Sequence, residues 1–448
     1  MRKQPGSVSM GQLWRFFLPL GLSASLVTIS HVIINSTLTH AANQKVVIAS
    51  YAIAMSLLII TERPAVLLRQ TCSALVRDKR SFRAMLRVGQ LVFASILLLG
   101  MIICYTPLGR WIFGGLFGAE DALVPDIVNV YQILMFVSIF SGIRCLYHGV
   151  IIYNMRTKWL TIGMVLRLLG MYGLSLYFMH VGVNSGTVGA IIFLSGMMIE
   201  ALVSYLEGSS LVRRMPEREE GHTVRSGRQV FSFYRPMLLS TLIAVWIGPS
   251  INALLGKTSD AALSIASFAL AASLVQLTLS FFTYFHQIVL NFYKTDPETV
   301  RKFTLLLGFI PTVLVCILAF TPAGEFVVGH VMGVEGKLKA ETIRAMQPFV
   351  LLALALPWLD VGNGIIMVRG QTRVIVGSQS ANLLFTLTTA ALCIWFTPGW
   401  NGAIGAWSQS IGVAAECLFV AIAIRRIGHG TKFISHQATA ETAASDTE

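Results

Sequence analysis

The chain repeats itself at a nearly constant spacing. The segment 49–57 (Ala-Ser-Tyr-Ala-Ile-Ala-Met-Ser-Leu) returns at 266–274 as Ala-Ser-Phe-Ala-Leu-Ala-Ala-Ser-Leu, with six of nine positions identical. Ordinary residue frequencies would give roughly one identity or none. Further pairs recur at offsets of 215 to 217, among them Pro19/Pro236, Asn35/Asn252, Thr106/Thr321, Gly109/Gly324, Gly186/Gly402, Gly196/Gly412 and Glu200/Glu416. The sequence therefore predicts two copies of one unit.

Composition places both copies in a membrane. Of 448 residues, 55% are hydrophobic and 12% are charged, about half the charged fraction of a soluble domain. The apolar residues form blocks near the roughly 20 residues that cross a bilayer. These blocks predict twelve helices at 12–36, 46–68, 88–106, 128–151, 160–180, 186–208, 232–255, 261–288, 303–321, 346–368, 374–396 and 402–424. We therefore expect an all-α integral membrane protein with twelve transmembrane helices.

Six helices in each half is an even number, so both halves enter the membrane from the same side. This is a parallel repeat, and duplicated halves of this kind are typical of transporters. The predicted domains are an N-lobe at 1–212, a polar cytoplasmic linker at 213–229, a C-lobe at 230–428 and a disordered cytoplasmic tail at 429–448.

The basic residues indicate the orientation. Of the 34 Lys and Arg residues, 26 lie on one side of the predicted spans, six lie on the other side, and Arg144 and Arg167 lie inside spans. The positive-inside rule then places both termini in the cytoplasm, with the protein in the inner or plasma membrane. The net charge of +13 does not indicate nucleic-acid binding, because it sits in short loops between apolar blocks. The six cysteines are expected to be small buried hydrophobic residues without disulfides or metal.

Four ionisable residues gather at one depth in the predicted N-lobe. Arg144 and Arg167 each lie about seven residues from the cytoplasmic end of their helix, His148 lies one turn from Arg144, and Glu200 has a similar depth. Charges in hydrocarbon are costly and need a partner or a water-filled cavity. Two interpretations stay open: a basic pocket that attracts an anion from the cytoplasm, or an ion pair that only joins helices.

The predicted C-lobe has an acidic residue in the region that is equivalent to the basic group of the N-lobe. Asp360 aligns with Cys145 and lies between Pro357 and Gly362, which predicts a broken helix and either proton coupling or ion pairing. Glu200 and Glu416 recur together with nearby glycines, which favours close helix packing across a carboxylate and leaves ion coupling open. Glu62 is expected to pair locally with its neighbour Arg63.

Other polar residues inside the spans are weaker candidates. Pro19 and Pro236 recur near the starts of helices 1 and 7, where a proline bends a helix and makes it a plausible gate. A lone membrane histidine such as His31 is more often packed than functional, although an ion-coupling role stays open. The remaining candidates for substrate binding are Asn35, Asn252, Gln276 and Tyr284.

No motif of enzyme chemistry is present in the sequence. There is no P-loop, no G-x-S-x-G, no H-E-x-x-H and no dinucleotide fingerprint. We therefore expect a protein that is not an enzyme and has no cofactor. An integral-membrane enzyme would give no reason for the duplicated half.

Several short segments resemble the progressive ankylosis (ANK) family. They are 15–21 (Arg-Phe-Phe-Leu-Pro-Leu-Gly), 49–54, 147–151 (Tyr-His-Gly-Val-Ile), 402–406 (Gly-Ala-Ile-Gly-Ala) and 412–416. That family looks like a branch of the multidrug/oligosaccharidyl-lipid/polysaccharide (MOP) flippase superfamily, which includes the multidrug and toxin extrusion (MATE) pumps. Unlike many MATE proteins, helix 1 of this sequence has no acidic residue in the membrane.

The resemblance implies a V-shaped, MATE-like pair of six-helix bundles around a cleft lined by helices 1, 2, 7 and 8, and export by alternating access. ANK-type members are associated with anionic metabolites, so the leading hypothesis is an exporter of an organic or phosphorylated anion such as citrate or pyrophosphate. The alternatives are a proton- or sodium-coupled MATE-type antiporter of organic cations, using Asp360 or Glu416, and a flippase for a lipid-linked precursor. We expect a monomer whose partners are the solute, membrane lipid and a coupling ion.

Overall fold

Twelve long apolar helices make up most of the molecule. The computed structural model describes residues 8–117, 119–222 and 224–445, apart from the side chains of 45, 116 and 427–445. Within these residues there is no strand. The helices long and apolar enough to cross a membrane are α1 (Met10–Leu38), α2 (Val46–Leu75), α3 (Lys79–Tyr105), α4 (Val124–Tyr153), α5 (Lys158–Val181), α6 (Thr187–Arg214), α7 (Gly227–Leu255), α8 (Ala261–Phe292), α9 (Pro297–Phe320), α10 (Gly336–Val368), α11 (Arg373–Phe396) and α12 (Gly402–Arg426).

All twelve predicted spans are confirmed, and the structural helices are often longer. The largest differences lie at the starts of α3 and α10, which begin about ten residues before the predicted positions. Both extensions are rich in charge, so the apolar pattern does not reveal them. Asp78 begins α3 as an N-cap, because its carboxylate accepts a hydrogen bond from the backbone N–H of Ser81 at 2.7 Å.

Several spans are interrupted by turns, and prolines account for many of the positions. α2 is interrupted at Glu62, one residue before a helix that has proline in its first turn. α7 is interrupted at Trp246, and Pro249 lies in the first turn that follows. In a first turn the missing N–H of proline costs nothing, because no partner carbonyl is available there.

The predicted break at Asp360 is wrong. The helix Phe349–Val368 runs through this residue without interruption and contains Pro357. α10 is interrupted earlier, at Gln347 and Pro348. A proline inside a helix removes one backbone hydrogen bond and can bend the helix without ending it.

The chain divides into two compact units. The first unit is Ser9–Leu238, and the second unit holds Val8 and the chain from Leu239 onward. The division falls inside α7 and not in the polar segment predicted as a linker, 213–229. That segment packs on the first unit, where Lys79 donates its backbone N–H to the carbonyl of Pro216 at 3.1 Å.

The two units repeat the same close helix contacts. A Cβ added to Gly186, at the start of α6, would lie 2.8 Å from Ser50 Oγ. At Gly402, the start of α12, it would lie closer still to Ser267 Oγ, and Ser50 and Ser267 are themselves related by an offset of 217. The recurring glycines therefore mark places where the same two helices touch in each unit.

The last helix continues beyond its membrane-spanning part. The sequence predicted a disordered tail at 429–448, whereas the backbone is helical from Gly402 to Ser445. Alanine is the most frequent residue of the stretch 429–445, and it favours helix. Residues 446–448 lie outside the described part of the chain.

Candidate functional site

Two arginines share one glutamate in the first unit. Arg144 on α4 donates from Nη1 to both carboxylate oxygens of Glu200 on α6, at 3.1 Å each. Arg167 on α5 donates to Glu200 Oε2 at 2.9 Å. Glu200 and Arg167 are each 1% exposed. Three helices therefore meet at Glu200 through charge-assisted hydrogen bonds, which agrees with the ion pair that was one of the two interpretations of the sequence.

A glycine one turn before Glu200 allows this arrangement. A Cβ added to Gly196 would lie 2.6 Å from the Met171 side chain and 3.1 Å from Arg167 Cγ. Because the helix surface is open here, α5 can come close enough for Arg167 to reach the carboxylate. The recurring pair Gly196 and Glu200 therefore acts as one packing device.

A second carboxylate joins this site through a hydroxyl. Ser141 donates to Glu62, and Arg144 Nη2 donates to Ser141 Oγ at 3.3 Å. The expected local pair of Glu62 with Arg63 is wrong within the described residues, because Glu62 lies at the turn inside α2 and its side chain is directed to α4. Sequence reasoning missed this contact because Glu62 stands next to an arginine in the chain.

His148 and Arg69 complete the group, which we name the Glu200 cluster (Glu62, Arg69, Ser141, Arg144, His148, Arg167 and Glu200). His148 Nε2 lies 4.0 Å from Glu200 Oε1. Arg69 is an electrostatic neighbour of His148. The cluster therefore contains three arginines and two glutamates, a surplus of one positive charge with histidine neutral.

Two buried groups of the cluster have unused hydrogen-bonding capacity. Among the described residues, neither ring nitrogen of His148 has a hydrogen-bond partner, and neither does Arg167 Nε. The Arg167 guanidinium lies 5.0 Å from the ring centre of Phe193. That ring stacks on His31 at 5.8 Å, so His31 meets the cluster through an aromatic contact.

The corresponding glutamate of the second unit has neutral partners. Asn382 Nδ2 donates to Glu416 Oε2 at 2.7 Å, and Gln379 Nε2 donates to Oε1. Ser378 Oγ donates to Oε1 at 3.4 Å. These four residues form the Glu416 cluster. Glu416 is 1% exposed, and no Lys, Arg or His of the described residues forms an ion pair with it.

The two clusters occupy equivalent places. α5 and α11 have the same length, at an offset of 215. That offset aligns Arg167 with Asn382, and both donate to the recurring glutamate of their unit. The sequence-based search missed Ser378, Gln379 and Asn382, because neutral polar residues give no charge signal. Their spacing along one helix face, aligned with Arg167, was the available signal.

A histidine–aspartate pair, in which His286 is buried and Asp360 is partly exposed, lies elsewhere in the second unit. His286 Nδ1 is 2.9 Å from Asp360 Oδ1, and the backbone N–H of His286 donates to Oδ2 at 2.9 Å. Gln287 Nε2 lies 3.1 Å from the other ring nitrogen, His286 Nε2. Tyr284 packs nearby, with its ring 6.0 Å from that of His286. Asp360 is thus paired with a histidine, as one of its two predicted roles required.

The other predicted residues do not join these groups. Asn35, Asn252 and Gln276 are exposed on the surfaces of their own units. Their proposed part in substrate binding stays a prediction. Within residues 8–117, 119–222 and 224–445, no three metal-ligating side chains come together.

Comparison with known proteins identifies the fold. No protein-family model and no curated protein matches the chain. Solved structures do match over nearly the whole length. A MOP superfamily transporter from Pyrococcus furiosus, described as having a binding pocket of reverse polarity, is 16% identical with a TM-score of 0.73 and covers 93% of this chain and 95% of its own.

Two MATE structures agree with it. An outward-facing multidrug resistance MATE transporter of the MOP superfamily is 17% identical, with a TM-score of 0.71 and coverage of 93% of this chain and 96% of its own. The eukaryotic MATE transporter AtDTX14 is 14% identical, with a TM-score of 0.73 and the same coverage. The chain therefore has the fold that these transporters share, as the sequence predicted, and its twelve long apolar helices support an integral membrane protein.

Proposed function

We propose that this chain is a secondary active transporter that exports an organic or phosphorylated anion by alternating access. The MATE fold supports the transporter class, because the solved proteins that share it are transporters. The observation that supports an anionic substrate is the surplus positive charge of the Glu200 cluster. The side chain of Arg144 is 11% exposed, which leaves part of it accessible to solute.

The chemistry of the cluster suits carboxylate and phosphate groups. Guanidinium groups bind both through paired hydrogen bonds, and they keep their charge when they are buried. Glu200 occupies Nη1 of both arginines. Arg167 Nε and the one protonated ring nitrogen of a neutral His148 are further buried donors with no partner among the described residues. An anion at this position would add acceptors where donors are in excess.

The fold itself leaves the charge of the substrate open. The Pyrococcus furiosus transporter is described as having a pocket of reverse polarity that suggests a different function. One scaffold can thus carry pockets of different charge, and function must be argued from the site. The three arginines of the Glu200 cluster favour an anion over an organic cation.

A proteoliposome assay tests the proposal. The purified protein is offered labelled citrate, pyrophosphate and ATP, with a cationic dye and a labelled lipid as the competing substrates. We expect uptake of at least one anion and of neither competitor. Dye transport alone would favour the cation antiporter, and lipid translocation alone would favour the flippase.

Arg144→Gln is the informative variant, because Arg167 still pairs with Glu200 and the fold is kept. We expect anion transport to fall by at least about tenfold, the loss of one charge-assisted interaction. Arg156→Gln is the matched control, since Arg156 is 48% exposed and pairs with Glu207. Equal transport by both variants would contradict the proposed site.

The second candidate, a MATE-type antiporter of organic cations, is favoured by the acids of the second unit. Asp360 and Glu416 have no arginine or lysine partner within the described residues. This candidate predicts that cells with the protein resist cationic dyes and lose that resistance with Asp360→Asn.

The orientation belongs to the same proposal: both termini and the segment 213–229 lie in the cytoplasm, with the protein in the cell membrane. Reporter fusions at the C-terminus and within 213–229 test this topology. Activity of an external reporter in 213–229 would contradict it.

A further inference from the structure

Glu416, the recurring glutamate of the second unit, lies among groups that can form hydrogen bonds with its carboxyl group in both the ionised and the protonated form. We propose that Glu416 is the proton-binding site that couples transport to a pH gradient. In the binding step the carboxylate takes up one proton and becomes a neutral carboxylic acid, and in the release step it returns that proton. The inference rests on the proposed transport function, of which it names the coupling ion.

Burial makes a permanent negative charge at Glu416 costly. Its partners are two amides and one hydroxyl, and none carries a charge. A buried carboxylate without a cation costs several kcal/mol even when donors offset part of the penalty. Binding a proton removes that charge without moving any helix.

The surrounding amides can satisfy the neutral form as well. Gln379 Oε1 is buried and has no hydrogen-bond partner among the described residues. Rotation of this amide by half a turn would present Oε1 to the hydroxyl of a protonated Glu416. The Asn382 amide can still donate to the other oxygen. The carboxyl group of Glu416 therefore keeps hydrogen-bond partners in both states, which a reversible proton site requires.

The donors also favour a proton over a metal cation. The Gln379 and Asn382 amides direct N–H groups toward the carboxylate, whereas sodium needs oxygen lone pairs from several sides. The first unit supplies the contrast. Glu200 pairs with Arg144 and Arg167, which keep their charge, so its carboxylate is held as an anion.

No other charge competes at Glu416. On its own helix the nearest titratable group is the Cys417 thiol, an electrostatic neighbour. α11 contributes only the neutral donors that face the carboxylate, and the parts of α7 and α8 that pack on α12, 247–255 and 261–280, contain no Asp, Glu, Lys, Arg or His. On α10, Asp360 is paired with His286 and Arg344 with Glu341. Charges at the helix ends are Lys337, Lys339, Arg369, Arg373, Arg425 and Arg426, of which Arg369 donates to the Ile424 carbonyl of α12 at 3.5 Å.

Two assays on the full-length protein in proteoliposomes separate coupling from transport. Counterflow of labelled citrate or pyrophosphate, measured without a pH gradient, reports substrate exchange. Accumulation driven by an imposed pH gradient reports proton coupling. For Glu416→Gln we expect counterflow within about twofold of wild type and gradient-driven accumulation at least about tenfold lower, as one lost coupling site requires.

Matched variants make the result specific. Glu416→Asp keeps a carboxyl group and should restore part of the gradient dependence. Glu298→Gln changes an exposed glutamate of the same unit, paired with Lys302, and should behave as wild type. Retained gradient-driven accumulation in Glu416→Gln overturns the inference, and so does loss of counterflow together with accumulation.

A spectroscopic test does not depend on the substrate. The acid-minus-alkaline infrared difference spectrum of the purified protein should contain a protonated-carboxyl band that Glu416→Gln lacks and Glu298→Gln retains. If wild type transports no anion while this band behaves as expected, the proposed substrate is wrong and the proton site stands. A band that persists in Glu416→Gln overturns the proton site itself.

Discussion

Glu200 and Glu416 stand at the same position of a duplicated unit and have opposite surroundings. Glu200 accepts hydrogen bonds from two arginines, and Glu416 accepts them from two amides and a hydroxyl. In both units the glutamate lies one turn after a glycine that lets the neighbouring helix approach. Duplication therefore kept the packing device and changed the electrostatics.

Under the proposed function, this difference divides the work of transport between the two units. Arginines that hold Glu200 as an anion make the first unit a site of fixed charge, suited to attracting a solute. Neutral donors around Glu416 make the second unit a site of variable charge, suited to a coupling ion. Substitutions at equivalent positions should therefore have unequal effects.

The largest expected difference lies between Glu200→Gln and Glu416→Gln. Removing the Glu200 charge leaves two arginines without their partner, which costs about 3–5 kcal/mol when a buried pair is broken. Glu416→Gln keeps neutral hydrogen bonding and should cost about 1 kcal/mol or less. Thermal unfolding of the two variants in detergent measures the difference. Equal destabilisation by the two substitutions would contradict the proposed difference between the electrostatic surroundings of Glu200 and Glu416.

The paired glycines give the next effect. Gly412→Ala would place a Cβ 2.5 Å from Asn382 Oδ1 and 2.9 Å from the Asn382 backbone carbonyl, whereas Gly196→Ala meets mainly the flexible Met171 side chain at 2.6 Å. We expect Gly412→Ala to cost about 1–3 kcal/mol, as overpacking does, and Gly196→Ala to cost less. Chemical unfolding of both variants tests the order, and the reverse order would show that the contact in the first unit is the tighter one.

A smaller effect concerns two aspartates at helix starts, Asp78 and Asp296. Each caps a helix and also accepts a backbone N–H from a distant segment, Glu219 at 3.0 Å and Val8 at 3.2 Å respectively. Asp78→Ala should cost about 1 kcal/mol, the usual loss of a cap. Limited trypsin digestion should cut faster at Arg218 and Arg225 in this variant. An unchanged rate would show that Asp78 does not retain the segment.

The same cap predicts a pH dependence. Burial opposes ionisation of Asp78, yet the backbone N–H groups of Glu219 and Ser81 outweigh it and hold the pKa of Asp78 below its usual value. The stabilisation is therefore complete above the usual pKa of an aspartate and is lost as pH falls through the lowered value. Unfolding of wild type and Asp78→Asn should converge in acid, and a constant difference at all pH values would contradict this origin.

The smallest effect is expected at the exposed pairs of Glu217 with Lys79 and Arg83. These lie at 3.2 and 3.0 Å but are open to solvent, which screens them. Glu217→Gln should leave the thermal unfolding of wild type unchanged. A clear loss of stability would show that these exposed ion pairs contribute measurably to the stability of the protein.

The sequence predicted most of the fold because its signals are strong. Blocks of apolar residues revealed twelve spans, and the offsets of 215 to 217 reappear as equivalent contacts at Gly186 and Gly402. Arg144, Arg167 and Glu200 were predicted to meet because buried charges need partners and their depths agreed. Those arguments use length, hydrophobicity and charge, which a sequence displays directly.

The remaining features depend on geometry that a sequence does not display. Ser378, Gln379 and Asn382 are neutral, so only the position of α11 beside Glu416 gives them importance. Glu62 turned away from its sequence neighbour because a turn inside α2 directs it to Ser141. The helix through Asp360 stayed continuous because packing tolerates one lost hydrogen bond at Pro357.

Counterflow of a labelled anion in proteoliposomes, compared between wild type, Arg144→Gln and Arg156→Gln, decides whether the Glu200 cluster binds a transported anion. We expect exchange of citrate or pyrophosphate by wild type and Arg156→Gln, and its loss by at least about tenfold in correctly folded Arg144→Gln. Exchange of a cationic dye in place of any anion, unaffected by Arg144→Gln, would contradict anion transport through this cluster.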